Sequence, residues 1–302
     1  MDTPGTDDPL GLHGVVPPTI TAFDADGALA PEQCAAHARY VVDGGCHGAF
    51  PLGTNGEEPL VTPEEHGRVV EAVVDEVGGE VPVIAGVGGP STRQAVANAR
   101  RVTRAGADGV VAVTPYYYPV DDEAAVAHYE AVTGAVDCPV YVYHIPPRTG
   151  NQLSLAAWER IAALEGIAGL KDSSKDVPWF AQAMARAPDL TYLVGSDSLL
   201  HAGFGIGATG AVSAVANVFP SLVVDCYDAY RDGDREAVRE IQGRMFEVRG
   251  ALKSGPYMAG VKTALDVLDV SVDPGPLREP LRRMDAADRE TLATRLNDLG
   301  LR

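Results

Sequence analysis

The feature that most constrains this chain is a rhythm. Short apolar runs rich in β-formers recur at residues 15–21, 48–53, 81–87, 109–114, 139–145, 167–171, 191–195 and 210–216, and helical patterns fill the gaps between them. Several of those helices announce their starts. Thr62-Pro63-Glu64-Glu65 places a cap, a first-turn proline and early acids ahead of Val69, Val70, Val73 and Val74, while Ser91 and Ser154 open later helices. Eight βα units in one chain predict an α/β protein, a (β/α)8 TIM barrel of parallel strands ringed by helices. A doubly wound sheet would need a dinucleotide fingerprint. The one glycine-rich candidate, Gly205-Ile206-Gly207-Ala208-Thr209-Gly210, precedes a strand instead of following one, so it reads as a helix end turning into the last strand.

After Phe219-Pro220 the strand signals stop and helical patterns cover 222–230, 235–252, 260–268 and 285–299, interrupted by Pro274, Pro276 and Pro280. This tail exceeds one barrel helix and is expected to form a helical appendage. The predicted organisation is an N-terminal extension over 1–12, a catalytic barrel over 13–220 and a C-terminal helical region over 221–302.

Charge narrows the partners. The formal net charge is −18, and clustered Lys and Arg are absent, which disfavours nucleic acid and anionic membrane as partners. No apolar stretch approaches the roughly 20 residues of a membrane span, and residues 1–9 lack both a basic and a hydrophobic region, so a cytoplasmic location is expected. Cys34, Cys46, Cys138 and Cys226 form no Cys-x-x-Cys pair and are expected to be buried thiols. The seven histidines show no paired ligand spacing, so no metal is expected. Acidic excess with only four lysines resembles proteins of salt-loving organisms, although a GC-rich genome also favours arginine over lysine.

A barrel requires its chemistry at the carboxyl ends of its strands. Lys171 closes the sixth run, Ile167-Ala168-Gly169-Leu170, where a side chain points into the cavity that the strand borders. Desolvation there lowers the amine's pKa and prepares a nucleophile; pairing with Asp172 is the structural alternative. The second run ends in Gly53-Thr54-Asn55-Gly56-Glu57, a turn whose backbone N–H groups can converge on an anion. The fourth leads into Tyr116-Tyr117-Tyr118, which also fits a packed loop or a subunit contact, and the fifth ends in Tyr143 and continues to Arg148. The turn Gly195-Ser196-Asp197-Ser198 fits a phosphate pocket or a helix cap, and the cap is expected.

Together these residues resemble the pyruvate-dependent class I aldolase superfamily of dihydrodipicolinate synthase, N-acetylneuraminate lyase and the 2-keto-3-deoxy sugar-acid aldolases. The likeness runs from Pro17-Pro18-Thr19-Ile20-Thr21 through Gly210-Ala211-Val212-Ser213 to Asn217 and the tail. It implies a Schiff base on Lys171 with no cofactor, Tyr143 shuttling protons, Thr54 linking that phenol to solvent, and Tyr117 supplied across a subunit interface of a homotetramer. It also implies a keto-acid pocket drawing on Gly53, Thr54, Asn55, Arg148, Gly195 and Val212, and an aldehyde as second reactant. Asn55, where the synthases usually carry a second threonine, and the Pro17-Pro18 opening look more like 2-keto-3-deoxygluconate aldolases. Arg148 looks more like the synthases. The expected activity is therefore cleavage of a 2-keto-3-deoxy sugar acid or its 6-phosphate, with condensation of pyruvate and aspartate semialdehyde as the alternative, and a non-catalytic keto-acid or sugar-phosphate binding barrel as the reading from another class.

Overall fold

The computed structural model describes residues 8–302. Seven regular strands appear among them: β1 (Gly14–Val15), β2 (Ile84–Gly86), β3 (Gly109–Val113), β4 (Val140–His144), β5 (Ile167–Asp172), β6 (Thr191–Val194) and β7 (Gly210–Ala211). All pairings are parallel, and the order β1-β7-β6-β5-β4-β3-β2 makes one curled sheet ending in β1 and β2. Helices connect successive strands, as the alternating pattern requires.

The expected second strand, 48–53, is corrected. It forms no regular strand; only Ala49 makes a bridge, parallel to Val83. The reason is proline. Pro17, Pro18, Pro51 and Pro82 lack N–H groups and interrupt the ladders on either side. Their carbonyls still accept: Phe50 N–H donates to Pro17 O at 3.1 Å, Ala49 N–H to Pro82 O at 3.0 Å, and Gly86 N–H to Pro51 O at 3.0 Å. The segment therefore lies between the two ends of the sheet and is bonded to both. For the same reason the first strand, expected over 15–21, is only two residues long.

Alternation divides the core. Val16, Phe50, Ile84, Val111, Tyr141, Tyr143 and Leu193 fill the inside of the curl as one cluster, and a larger cluster packs the outer face against the helices. In β5 the alternation slips. Val140 pairs with Ile167 but Tyr141 with Gly169, so Ala168 is an extra residue in the ladder. Ala168 faces inward, and strict alternation from it would turn Asp172 inward as well; the bulge puts Gly169 and Lys171 on the inner face instead. Gly169 is obligatory there, since an added Cβ would sit 2.4 Å from Thr191 O.

The expected caps form. Thr62 and Glu65 make a reciprocal capping box ahead of Pro63–Val77, Ser91 caps Thr92–Arg104, and Ser154 caps Leu155–Ala162. The Gly205–Gly210 stretch is a helix end, Leu200–Gly205, leading into β7. Of the expected extension, residues 1–7 lie outside the described residues, and the rest reaches the floor of the curl. Buried Asp8 accepts there from Tyr141 OH at 2.7 Å, Thr191 Oγ1 at 2.9 Å and the N–H groups of Leu10 and Leu12.

The tail is helical, with shifted starts. Pro220–Arg231 begins on its proline, two residues before the expected 222, because a proline fits the first turn of a helix. Tyr257–Val267 begins immediately after Pro256, where 260 was expected, and Arg235–Leu252 and Ala286–Asp298 complete the region. All four cysteines are free, and no helix among the described residues is long and apolar enough to cross a membrane.

Candidate active site

The register of β4 on β5 builds the centre. Tyr143 pairs with Lys171 and His144 with Asp172, so two adjacent pairs face opposite sides of the sheet. Inward, the Lys171 amine lies 3.2 Å from the centroid of the Tyr143 ring and 5.4 Å from that of Phe50. Outward, His144 Nδ1 donates to Asp172 Oδ1 at 2.7 Å while His144 Nε2 accepts from Leu153 N–H at 3.3 Å, which fixes the neutral tautomer. Asp172 is thus committed to His144 and does not pair with Lys171.

Burial lowers the pKa of Lys171, with the Tyr143 phenol and Asp172 opposing and Arg148 adding to the depression. Burial alone would raise Tyr143, but the neighbouring Lys171 ammonium and the Thr54 hydroxyl hold the phenol below its ordinary value. Thr54 Oγ1 lies 3.1 Å from Tyr143 OH. The amine, the phenol and the hydroxyl predicted from separate strands do converge.

A cavity of about 310 Å³ is walled by Phe50, Gly53, Thr54, Tyr143 and Arg148 among others; Lys171 is not itself part of the wall and adjoins it through the Tyr143 and Phe50 rings. Arg148 donates its backbone N–H to Ile145 O at 3.0 Å, while its guanidinium makes no hydrogen bond or ion pair among the described residues and is available to an anion. Asn55 is buried with Nδ2 unpartnered, and it stands outside the cavity wall. Gly195 and Val212 also stand outside it. Gly195 is held by its N–H to Asp172 O at 2.7 Å, and a Cβ there would fall 2.1 Å from Ser173 Oγ; Val212 is buried beside Tyr143 in the inner cluster. Tyr117 is 83% exposed, with a left-handed φ of 78°, and points to no group of this site. Its neighbour Tyr116 lines the cavity instead, pushed up to about 12 by burial and by Glu58.

One expectation is corrected. The N-cap residue Ser196, its hydroxyl buried and unpartnered, leaves the short 3-10 helix after β6, Asp197–Leu199, without a side-chain cap, and the first helical residue, Asp197, turns to the tail. Its carboxylate accepts from Ser213 Oγ at 2.6 Å and Tyr257 OH at 3.0 Å, tethering the turn to the tail.

Sequence reasoning missed two acids. Glu57, 1% exposed, pairs with Lys262 at 2.7 Å, and Glu58 lines the cavity with its pKa pushed up to about 7 by burial. The available signal was two successive acids directly ahead of the apolar Pro59-Leu60-Val61. Met258, Pro280 and Leu281 of the tail also line the cavity, which no periodicity could reveal.

Parallel strands bring a desolvated amine and a phenol together at their carboxyl ends, and the phenol lines the cavity: the arrangement is that of an α/β enzyme. Residues 11–299 match the model of the dihydrodipicolinate synthetase family, and the chain belongs to that family. Its members are pyruvate-dependent lyases that work through a lysine Schiff base and no metal cofactor. The chain is 63% identical over 298 residues to an uncharacterized DapA-like lyase of Halobacterium salinarum, covering 99% of this chain and 97% of the relative. It is 37% identical to a 4-hydroxy-tetrahydrodipicolinate synthase of Methylobacterium radiotolerans, covering 90% of this chain and 93% of the relative. The structure superposes on YagE, a prophage protein of E. coli K12 solved with pyruvate, with a TM-score of 0.91 at 29% identity, covering 96% of this chain and 99% of that one.

Proposed function

We propose that the protein is a Schiff-base aldolase cleaving 2-keto-3-deoxy sugar acids, 2-keto-3-deoxygluconate or its 6-phosphate, to pyruvate and glyceraldehyde or its 3-phosphate. The observation that carries the chemistry is the buried Lys171 amine against Tyr143, whose phenol is bonded to Thr54. Neutral Lys171 attacks the keto carbon, and loss of water leaves an iminium that acts as an electron sink. Tyr143 oxygen takes the proton of the C4 hydroxyl, the C3–C4 pair flows into the iminium, and the aldehyde departs from an enamine. Protonation at C3 and hydrolysis return pyruvate and the amine. Thr54 relays the proton, and the Thr54 and Asn55 amides hold the keto-acid carboxylate, with Gly53, Gly195 and Val212 shaping that end.

In this reading the segment 47–51 is the eighth stave of a closed (β/α)8 barrel spanning 13–220, and 221–302 is its helical appendage. Exposed Tyr117 belongs to the site of a neighbouring subunit in a homotetramer. The enzyme works in a salt-rich cytoplasm, a view supported by the charge of −18 and the relative from a halophile.

For the aldehyde, the buried Glu58 in the cavity favours a hydroxylated chain, which can hydrogen-bond a carboxyl, over a second carboxylate, and the likeness of Asn55 to the sugar-acid aldolases supports the same reading. Arg148 favours the second reading, condensation of pyruvate with aspartate semialdehyde, whose carboxylate it would hold. A panel in high salt separates the two: cleavage of 2-keto-3-deoxygluconate and its 6-phosphate against condensation of pyruvate with aspartate semialdehyde. Turnover of the last pair alone overturns the sugar-acid reading.

A further inference from the structure

We propose that the tail supplies the specificity-determining wall of the cavity: Met258, Pro280 and Leu281 limit the length of aldehyde that meets the enamine, and the buried Glu57–Lys262 pair fixes this wall to the catalytic turn. The proposal rests on Lys171 as the imine-forming residue.

The geometry gives the cavity a direction. Its inner end is set by Phe50 and Tyr143, whose rings flank the Lys171 amine. A keto carbon bonded to that amine leaves the rest of the carbon chain pointing outward. Met258, Pro280 and Leu281 line the cavity as well, and exposure of Pro280 and of Leu281, 37% exposed, puts these two at its mouth. These are apolar side chains with no proton to give or take, so they act by shape. Each added carbon on the aldehyde brings its distal end closer to them.

The wall is anchored rather than draped. Glu57 sits in the left-handed region at φ 54°, three residues beyond Thr54 on the same turn. One of its oxygens meets Lys262 Nζ at 2.7 Å, and the other accepts from Arg278 N–H at 2.8 Å. Lys262 also donates to Thr21 O at 2.7 Å and Pro276 O at 2.8 Å. Arg278 forks onto Glu65, donates to Leu60 O and Gly27 O, and lies 4.1 Å from the centroid of the Phe23 ring. Segment 276–278 is thereby tied to the stretch that carries Thr54, and 280–281 follow directly from it.

The test is condensation of pyruvate with glycolaldehyde, glyceraldehyde and erythrose by the full chain and by Leu281→Ala and Met258→Ala. The expected result is a rise of about tenfold in the kcat/KM ratio of erythrose to glyceraldehyde, the scale of one methylene in a pocket. The pyruvate concentration giving half-maximal borohydride trapping is expected to stay that of the unaltered chain. An unmoved ratio overturns the wall, and so does a shifted pyruvate dependence, since the side chains would then act at the keto-acid end. Absence of trapping in the unaltered chain overturns the Schiff-base reading and this proposal with it. Lys262→Met is expected to relax the aldehyde ratio and Lys262→Arg to restore it; should Lys262→Met fail to fold, Arg278→Met is read in its place. A folded variant with the original ratio overturns the anchor.

Discussion

Lys171 and Asp172 are neighbours in sequence and face opposite sides of one strand: the amine lies against the Tyr143 ring, and the carboxylate accepts from His144 Nδ1 at 2.7 Å. The pairing that would keep the amine charged and inert is thereby avoided. The bulge sets the count: strict alternation from inward Ala168 would bring Asp172 to the cavity side, and the doubled inward step at Ala168 and Gly169 brings Lys171 there instead. Deleting Ala168 removes the extra residue and leaves Gly169 opposite Tyr141 and Lys171 opposite Tyr143, so the amine is expected to stay on the inner face and turnover to survive in chains that fold, which circular dichroism alongside turnover will check.

Tyr143→Phe removes the proton shuttle and leaves the amine in place. The expected loss in kcat is about 10²- to 10⁴-fold, with pyruvate still forming a reducible adduct. Thr54→Val is expected to act in the same direction and less severely, and Thr54→Ser to recover most of the activity, because the 3.1 Å contact to Tyr143 OH needs only a hydroxyl. Steady-state kinetics paired with trapping separates these steps.

Glu58 gives a pH signature. Burial raises its folded pKa to about 7 from the ordinary 4.5 of a glutamate, so between those values the native state holds a proton that the unfolded chain has released. Stability from this group is thus present at low pH and lost as pH rises through the folded value, in total about 3 kcal/mol. His66, whose Nε2 lies 3.8 Å from Glu58, is depressed to about 4 by burial and contributes in the opposite sense, so the comparison of interest is with Glu58→Gln. Denaturant melts from pH 4 to pH 8 are expected to diverge, with the variant gaining on the parent as pH rises.

Breaking the Glu57–Lys262 pair leaves a lone charge where both side chains are almost fully buried. Lys262→Met alone is expected to cost about 3–5 kcal/mol, and the double variant Glu57→Gln with Lys262→Met to recover part of that loss. Chemical denaturation of the two variants measures the difference.

The surface charge makes a simpler case. At −18 the chain repels itself, and raising salt from about 0.1 M to about 1 M shortens the screening length from roughly 10 Å to 3 Å. Thermal midpoints are expected to rise with KCl. Full stability and activity in low-salt buffer would count against salt adaptation.

Much of this was legible because the signals were local. Caps at Thr62, Ser91 and Ser154, the β-rich runs, and a lysine and a tyrosine at strand ends follow from residue type and spacing. Other features depend on partners distant in sequence. The prolines around 48–53 reduced a strand to a bridge, and the bulge in β5 is set by its neighbours. The turn Gly195-Ser196-Asp197-Ser198 reads as a helix cap, yet Ser196 makes no cap bond and Asp197 accepts from the tail's Tyr257. Met258, Pro280 and Leu281 reach the cavity only because Lys262 and Arg278 hold the tail across it. Tyr117 remains the residue whose proposed role lies beyond a single chain.

The most direct test of Lys171 as the covalent residue is borohydride reduction in the presence of pyruvate, followed by peptide mass spectrometry. A carboxyethyl adduct on the peptide containing Lys171, formed faster as pH rises toward the depressed pKa of its amine and absent in Lys171→Met, is the expected result. No adduct, or one placed on Lys175, Lys253 or Lys262, contradicts it.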